Sequence, residues 1–228
     1  MLPTQAPFQR IHLPVIMRQH SHVVTPSRFF LEAGIDRAGV HEIYAAAAGD
    51  GAAATGFALA MTKLLLTRKR AMLWARHDML QPEAGGIYPP GLIAFGIPPS
   101  AVTLVRAQDV QGVLQAGLDA ARCSSLAAIL VDFWGSARAY DLTASRRLAF
   151  AAKSSGVRLF LLRHAASAIP SAAETRWSIK GLPTRPFAAD APGWPAFEIT
   201  LLRHRGGMAG QVWVVEWNRD TKSFEERR

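Results

Sequence analysis

The run that follows His41-Glu42-Ile43-Tyr44 is the stretch best suited to chemistry. It reads AAAAGDGAAATGFALAM, from Ala45 to Met61. An apolar strand, a turn of small residues and a helix N-terminus, in that order, let backbone N–H groups converge on an anion, as in a phosphate-binding loop. The working pattern is G-x-x-x-x-G-K-[ST]: the glycines admit the phosphates, the lysine meets the β and γ oxygens, and the hydroxyl binds Mg²⁺. The nearest register here is Gly49-Asp50-Gly51-Ala52-Ala53-Ala54-Thr55-Gly56. Thr55 stands in the lysine's place, Gly56 in the hydroxyl's, and Asp50 adds a negative charge. The first basic residue downstream is Lys63. Gly49, Gly51, Thr55 and Gly56 thus keep the shape of a nucleotide site without its cation, as in a fold that has lost a reaction.

Other residues offer thinner chemistry. Asp132 closes the apolar run ILVDF. A carboxylate there can serve a magnesium ion beside a phosphate loop, or cap the next segment; with no loop lysine, capping is the expectation. Two strands end in the same string, Leu-Leu-Arg-His, at Arg163/His164 and Arg203/His204. Either these are charged strand ends turning into solvent, or the arginines hold a DNA phosphate or a partner's carboxylate. Trp134, at a loop start, suits base stacking or protein contact. Trp177 and the strand residues Trp74, Trp213 and Trp217 read as packing, and Trp194 as a surface residue. His12, His20 and His22 match no compact ligand spacing, and the single Cys123 builds neither a metal cage nor a disulfide, so no metal is expected. Gly135-Ser136 lacks the second half of a G-x-S-x-G nucleophile elbow.

Half of the 228 residues are hydrophobic and 19% are charged, which predicts a sizeable core. No apolar run reaches the roughly 18 residues needed to span a bilayer, and prolines interrupt the N-terminus where a signal peptide would need a compact apolar block. No membrane association and a cytoplasmic location are the expectation. The net charge of +9 favours association with polyanions, nucleic acid among them. Arg146, Arg147, Arg163, Lys180, Arg203 and Arg205 are candidate contacts, with Trp134 and His164 beside them.

The elements that must position these residues alternate. Residues 1–28 form an irregular arm, and residues 29–217 a single domain. Strands are expected at His41 to Ala47, Ala71 to Trp74, Val102 to Val105, Leu126 to Phe133 and Val157 to Leu162. Helices are expected at Ala53 to Lys69 (with Arg68, Lys69 and Arg70 as a basic end), Asp109 to Cys123 and Leu142 to Ser154. The Gly/Pro-rich segment from His77 to Pro99 reads as a long connection with one helical turn. Such alternation predicts an α/β layered, mostly parallel sheet flanked by helices, with its parallel core reaching about residue 164. Three short strands with no helices between them, Arg176 to Ile179, Phe197 to Leu202 and Val212 to Trp217, predict an antiparallel extension over 174–217. Residues 218–228 read as a charged, frayed tail.

In this order the pieces resemble a RecA-type core. Gly34-Ile35-Asp36 and His41-Glu42-Ile43-Tyr44-Ala45 are similar to the "G-[IL]-D" and "V-E-I-Y-G" segments that lead into that family's phosphate loop. ILVDF looks like its second nucleotide-site strand, with Asp132 matching the magnesium aspartate. VRLFLLRH looks like the strand that passes the nucleotide's state to a DNA-binding loop, and Arg163 and His164 fall where a polar γ-phosphate sensor stands. The catalytic glutamate of D-A-E-H would fall at Ala75-Arg76-His77-Asp78, on Arg76 or His77, with Asp78 a late carboxylate. The loops Phe133 to Asp141 and Arg163 to Glu174 are short beside the family's DNA loops.

A closer resemblance is to the ImuA family, carried by the altered loop, by ETRWSIKGLP (Glu174 to Pro183) and by FEITLLRHRGGMAGQVWVVEWNRDTKSF (Phe197 to Phe224). That resemblance implies a RecA-like accessory role, without catalysis or cofactor, in error-prone translesion synthesis during the SOS response. The implied partners are ImuB, an inactive Y-family polymerase relative, through the assembly an error-prone C-family polymerase, and in some lineages RecA. The alternative is a DNA-binding RecA relative with residual nucleotide binding, supported by the basic charge.

Overall fold

The computed structural model describes residue 30 and residues 34–35, 37–66, 71–207 and 209–227. The N-terminal arm, Asp36 and the basic run Arg68-Lys69-Arg70 lie outside the described residues. The elements run β1 (Gly39–Ala45), α1 (Gly51–Leu65), β2 (Ala71–His77), α2 (Leu80–Ala84), α3 (Pro89–Ala94), β3 (Val102–Ala107), α4 (Val110–Ala120), β4 (Leu126–Trp134), α5 (Leu142–Ser155) and β5 (Arg158–His164). Four strands follow: β6 (Thr175–Leu182), β7 (Ala196–His204), β8 (Val212–Asn218) and β9 (Ser223–Glu226).

All nine strands join one sheet in the order β3-β2-β4-β5-β1-β6-β7-β8-β9. The pairs among β3, β2, β4, β5, β1 and β6 are parallel. From β6 outward they are antiparallel. The expected extension therefore starts one strand later: β6 pairs with β1 in parallel, reached by a crossover (165–174) that contains no helix. β4 is buried along its centre on both faces, which is why its sequence is apolar without alternation.

Two cores lie on opposite faces of the sheet. On one, α1 and α3 cover Ile43, Trp74, Leu130, Phe160 and Trp177. On the other, α4 and α5 cover Val40, Ile129, Val131, Phe133 and Leu159. The first core continues under the extension as an aromatic cluster in which Phe30, Phe57, Trp177, Trp213, Trp217 and Phe224 meet mostly edge to face at 5.1–6.0 Å. α4 and α5 begin where Asp109 and Asp141 accept the N–H groups of Gly112 and Ala144, each at 2.7 Å. α1 ends at Leu65, short of the expected Lys69, because Leu66 is already extended (φ −68°, ψ 130°).

The frayed tail is a correction. Trp217 turns through Asn218 to Lys222 into β9, which pairs back on β8 and buries Phe224. The Asn218 carboxamide accepts from the N–H groups of Asp220 and Thr221 at 2.8 and 3.1 Å, and Lys222 takes a left-handed φ of 55°.

Candidate functional site: the loop between β1 and α1

The turn from strand to helix is held by its own carboxylate. Ala48–Asp50 forms a single 3-10 turn between Ala45 and Gly51. Asp50 Oδ2 accepts the N–H of Ala47 at 3.0 Å, and its Oδ1 accepts the N–H of Gly181, on β6, at 2.9 Å. Both carboxylate oxygens are thus spent on backbone donors, one of them in the loop that would face an anion. With the helix starting at Gly51, an eight-residue strand–loop–helix motif spans Ala45 to Ala52. The expected register moves accordingly. Gly51 takes the lysine's place, Ala52 the hydroxyl's and Asp50 the second glycine's. Thr55 and Gly56 lie inside α1. Gly56 packs tightly: a Cβ there would stand 3.0 Å from Phe95 Cζ, which would have to give by a few tenths of an ångström, and 3.5 Å from the Phe197 ring. In either register the loop contains no cation.

Opposite the loop, Asp132 is 2% exposed at the end of β4 and is also fully engaged. Its Oδ1 accepts from His164 Nε2 at 2.8 Å and its Oδ2 from Trp74 Nε1 at 3.3 Å, while Arg76 Nε lies 3.5 Å from Oδ2. These partners come from the strands on either side, since Arg76 and Asp132 are register neighbours across β2 and β4, and Trp134 and His164 across β4 and β5. Asp132 therefore does not cap the next segment; that role belongs to Asp141. The other ring nitrogen of His164, Nδ1, is buried and unpartnered and lies 3.1 Å from where a Cβ on Gly51 would stand. Trp134 stacks on the His164 ring at 5.9 Å and 13°.

Between loop and network opens a cavity of about 550 Å³. Its walls are mainly apolar and aromatic: Leu59, Trp74, Ile87, Tyr88, Phe95 and Trp134. Arg76 is the one cation among its described lining residues, and it faces Asp132. Glu83, on α2, is a carboxylate at the wall that the sequence did not single out, because α2 lies in a segment read as a connection. Asp78 is turned away and pairs with Arg106 at 2.8 Å. A magnesium triphosphate does not fit these residues. The loop presents a glycine where it would need a lysine, with a carboxylate just before it, and the aspartate that would serve the metal has both oxygens on protein donors.

The other face holds a buried polar cluster. Arg163 is 1% exposed, so neither expected role at the surface applies. Its guanidinium stacks over Phe133 and Tyr140 at 4.9 and 5.0 Å and approaches Tyr44 at 5.7 Å. Glu42, fully buried, accepts from Tyr140 Oη at 2.6 Å and from Arg176 Nε at 2.7 Å. Burial, then the Glu42 charge, pushes the Tyr44 and Tyr140 phenols up from their ordinary value, Tyr140 far above it. In sequence Glu42, Tyr140 and Arg176 are far apart and look like ordinary strand and loop residues. Only the β1/β6 pairing makes Glu42 and Arg176 neighbours.

The remaining candidates divide by place. Arg146 and Arg147 are exposed on α5. Arg203 donates to the Ser171 carbonyl at 2.9 Å, and Arg205 reaches Glu174 at 3.3 Å. Lys180 lies apart on β6, 3.9 Å from Glu198. Trp177 is core, as expected, and Trp194 packs against Phe187.

The nine-stranded sheet with its strand–loop–helix unit is that of a RecA-like α/β protein. Among solved structures, the RadB recombinase shares the fold with a TM-score of 0.60 and 15% identity, over 90% of this chain and 98% of that one. No protein-family model matches the chain. Protein ImuA of Caulobacter vibrioides, from strains NA1000 and CB 15, is 32% identical over 197 residues, covering 80% of this chain and 76% of the relative. The chain belongs to the ImuA family.

Proposed function

We propose that this protein is a non-catalytic accessory component of SOS-induced error-prone translesion synthesis. It docks on an ImuB-type, polymerase-like partner and, in some lineages, on RecA, and it reaches the error-prone C-family polymerase through that assembly. Family membership supports the cassette. The observation that carries the non-catalytic half is a pair of engaged carboxylates, Asp50 holding the loop to β6 and Asp132 in the cavity wall on β4. Removing one preorganised charge or donor from a transition state typically costs about 3–4 kcal/mol. Here the loop cation is missing, and Arg76 or His77 stands where the general base belongs. The residues of the old nucleotide site (Gly49, Gly51, Thr55, Gly56 and Asp132) then serve the fold.

Crosslinked co-purification from DNA-damaged cells tests the docking half, and recovery of the polymerase-like partner or RecA is expected. Recovery of neither refutes it. Phosphate release from ATP tests the catalytic half. Turnover should stay at background, and brisk turnover abolished by Thr55→Ala or Asp132→Ala refutes it.

A second reading, a DNA-binding protein with residual nucleotide affinity, is favoured by Arg146 and Arg147, which make no ion pair with any described residue. Steeply salt-dependent, sequence-blind binding of single strands would support it.

A further inference from the structure

Phe150 stands on the outer side of α5 with 76% of its surface in solvent, more than any other large hydrophobic side chain among the described residues. It forms a ridge between two clefts. One, of about 360 Å³, lies between α4 and α5, with the buried Leu118 and Ala151 in its lining beside Arg122 and Arg147. The other, of about 250 Å³, lies between α5 and the crossover after β5. Leu142 and Ala149 line it together with Arg146, Lys153, Arg203 and Arg205.

The cations here are not equivalent. Lys153 and Arg205 share Glu174 Oε1 at 2.6 and 3.3 Å, and Arg122 holds Asp119 at 3.2 Å. Arg146 and Arg147, the residues nearest the ridge in sequence, have no carboxylate among the described residues. The face thus combines an exposed aromatic ring, apolar recesses on both sides and two unneutralised guanidinium groups. Aromatic and arginine side chains are the types enriched at the energetic centre of protein interfaces.

We propose that this face docks an acidic segment of a protein partner, with an apolar side chain seated in a recess beside Phe150 and carboxylates on Arg146 and Arg147. The proposal rests on the adaptor reading and assigns it a surface. Two observations favour a protein over a nucleic-acid strand. Asp119 and Glu174 flank the patch, so a continuous phosphate track would pass negative charge at both sides, whereas a peptide can place its carboxylates singly. Sequence-blind strand binding also uses several stacking platforms in succession, and only one exposed aromatic ring stands here.

The test uses the full chain, Phe150→Ala, Phe150→Tyr and the double variant Arg146→Glu/Arg147→Glu. Affinities for the polymerase-like partner and for RecA are measured by interferometry at low and high salt, with a twenty-nucleotide oligo-dT as a third analyte. These side chains are exposed, so unchanged thermal melting is expected in all variants. Phe150→Ala and the double variant should each lower affinity for a protein partner at least tenfold, Phe150→Tyr should retain it, and wild-type affinity should fall with salt. Undiminished protein affinity in both variants overturns the proposal. Loss of oligo-dT binding with protein affinity intact assigns the face to nucleic acid and also overturns it. Should the wild type bind neither protein, the adaptor reading itself fails, a result distinct from insensitivity of a measurable complex to these substitutions.

Discussion

Asp132 separates two kinds of molecule. A carboxylate kept for magnesium would have lone pairs to spare, and its loss would cost activity while leaving the fold intact. Here it is the acceptor on which His164, Trp74 and Arg76 converge. Replacing it with alanine strands a buried guanidinium and two N–H donors, a change expected to cost about 3–5 kcal/mol. Urea denaturation of Asp132→Ala should show that loss as a lower midpoint. Glu174 behaves differently because two cations, Lys153 and Arg205, share one of its oxygens. Burial raises its pKa, but the ammonium of Lys153 and the guanidinium of Arg205 outweigh burial and hold the carboxyl below its ordinary value. A depressed carboxyl pKa adds stability that is present above the unfolded value, near 4.3, and is lost as pH falls through the folded one. Melting temperatures taken from pH 6 down to pH 3 should therefore fall more steeply in the wild type than in Glu174→Gln.

At the scale of elements, the close fit of helices to the sheet sets the tolerances. Gly117 lets α4 lie against β4: a Cβ there would stand 2.6 Å from Val131 Cγ2, inside contact distance. Gly117→Ala should destabilise by about 1–3 kcal/mol despite alanine's better helix propensity, which chemical denaturation can measure. Asp141→Ala, by removing the side-chain cap of α5, should cost about 1 kcal/mol, read in the same way. The parallel core was legible because β1, β2, β4 and β5 carry apolar runs and α4 and α5 announce themselves with Asp caps. β9 was not. Its turn from Asn218 to Lys222 has no glycine, and the left-handed position falls on a lysine, so the chemistry of a hairpin is hidden in a charged string. The direction of β6 was equally hidden, because a crossover without a helix leaves no periodic signal of parallel return. The site was legible in part: the missing loop lysine and Asp132 are visible in sequence, but the motif's register was not, since the start of α1 fixes it. The His164–Asp132–Trp74 network depends on strand neighbours that only the sheet order supplies.

Across the whole molecule, the net charge of +9 is distributed unevenly in its consequences. Arg163 and Arg176 are folded inward onto aromatic rings and Glu42, whereas Arg146 and Arg147 face solvent on α5. Charge counted from sequence overstates what a partner meets. The cavity follows the same division: its walls are largely aromatic, and Asp132, the buried carboxylate among them, is committed within the chain. A ligand that binds the folded state at a hundred times its Kd adds about 2.7 kcal/mol of stability. About 1 mM Mg-ATP should therefore leave the melting temperature unmoved, as differential scanning fluorimetry can check, whereas a functional nucleotide site would raise it by several degrees.

The strut from Asp50 to Gly181 joins the turn before α1 to the outer half of the sheet without a detachable piece. On the non-catalytic reading proposed above, a body whose negative group is built in takes no timing from nucleotide hydrolysis. Its complexes would then persist or dissolve according to how much of each component the cell makes and how fast thermal escape proceeds, which makes the timing of synthesis and destruction the natural point of control.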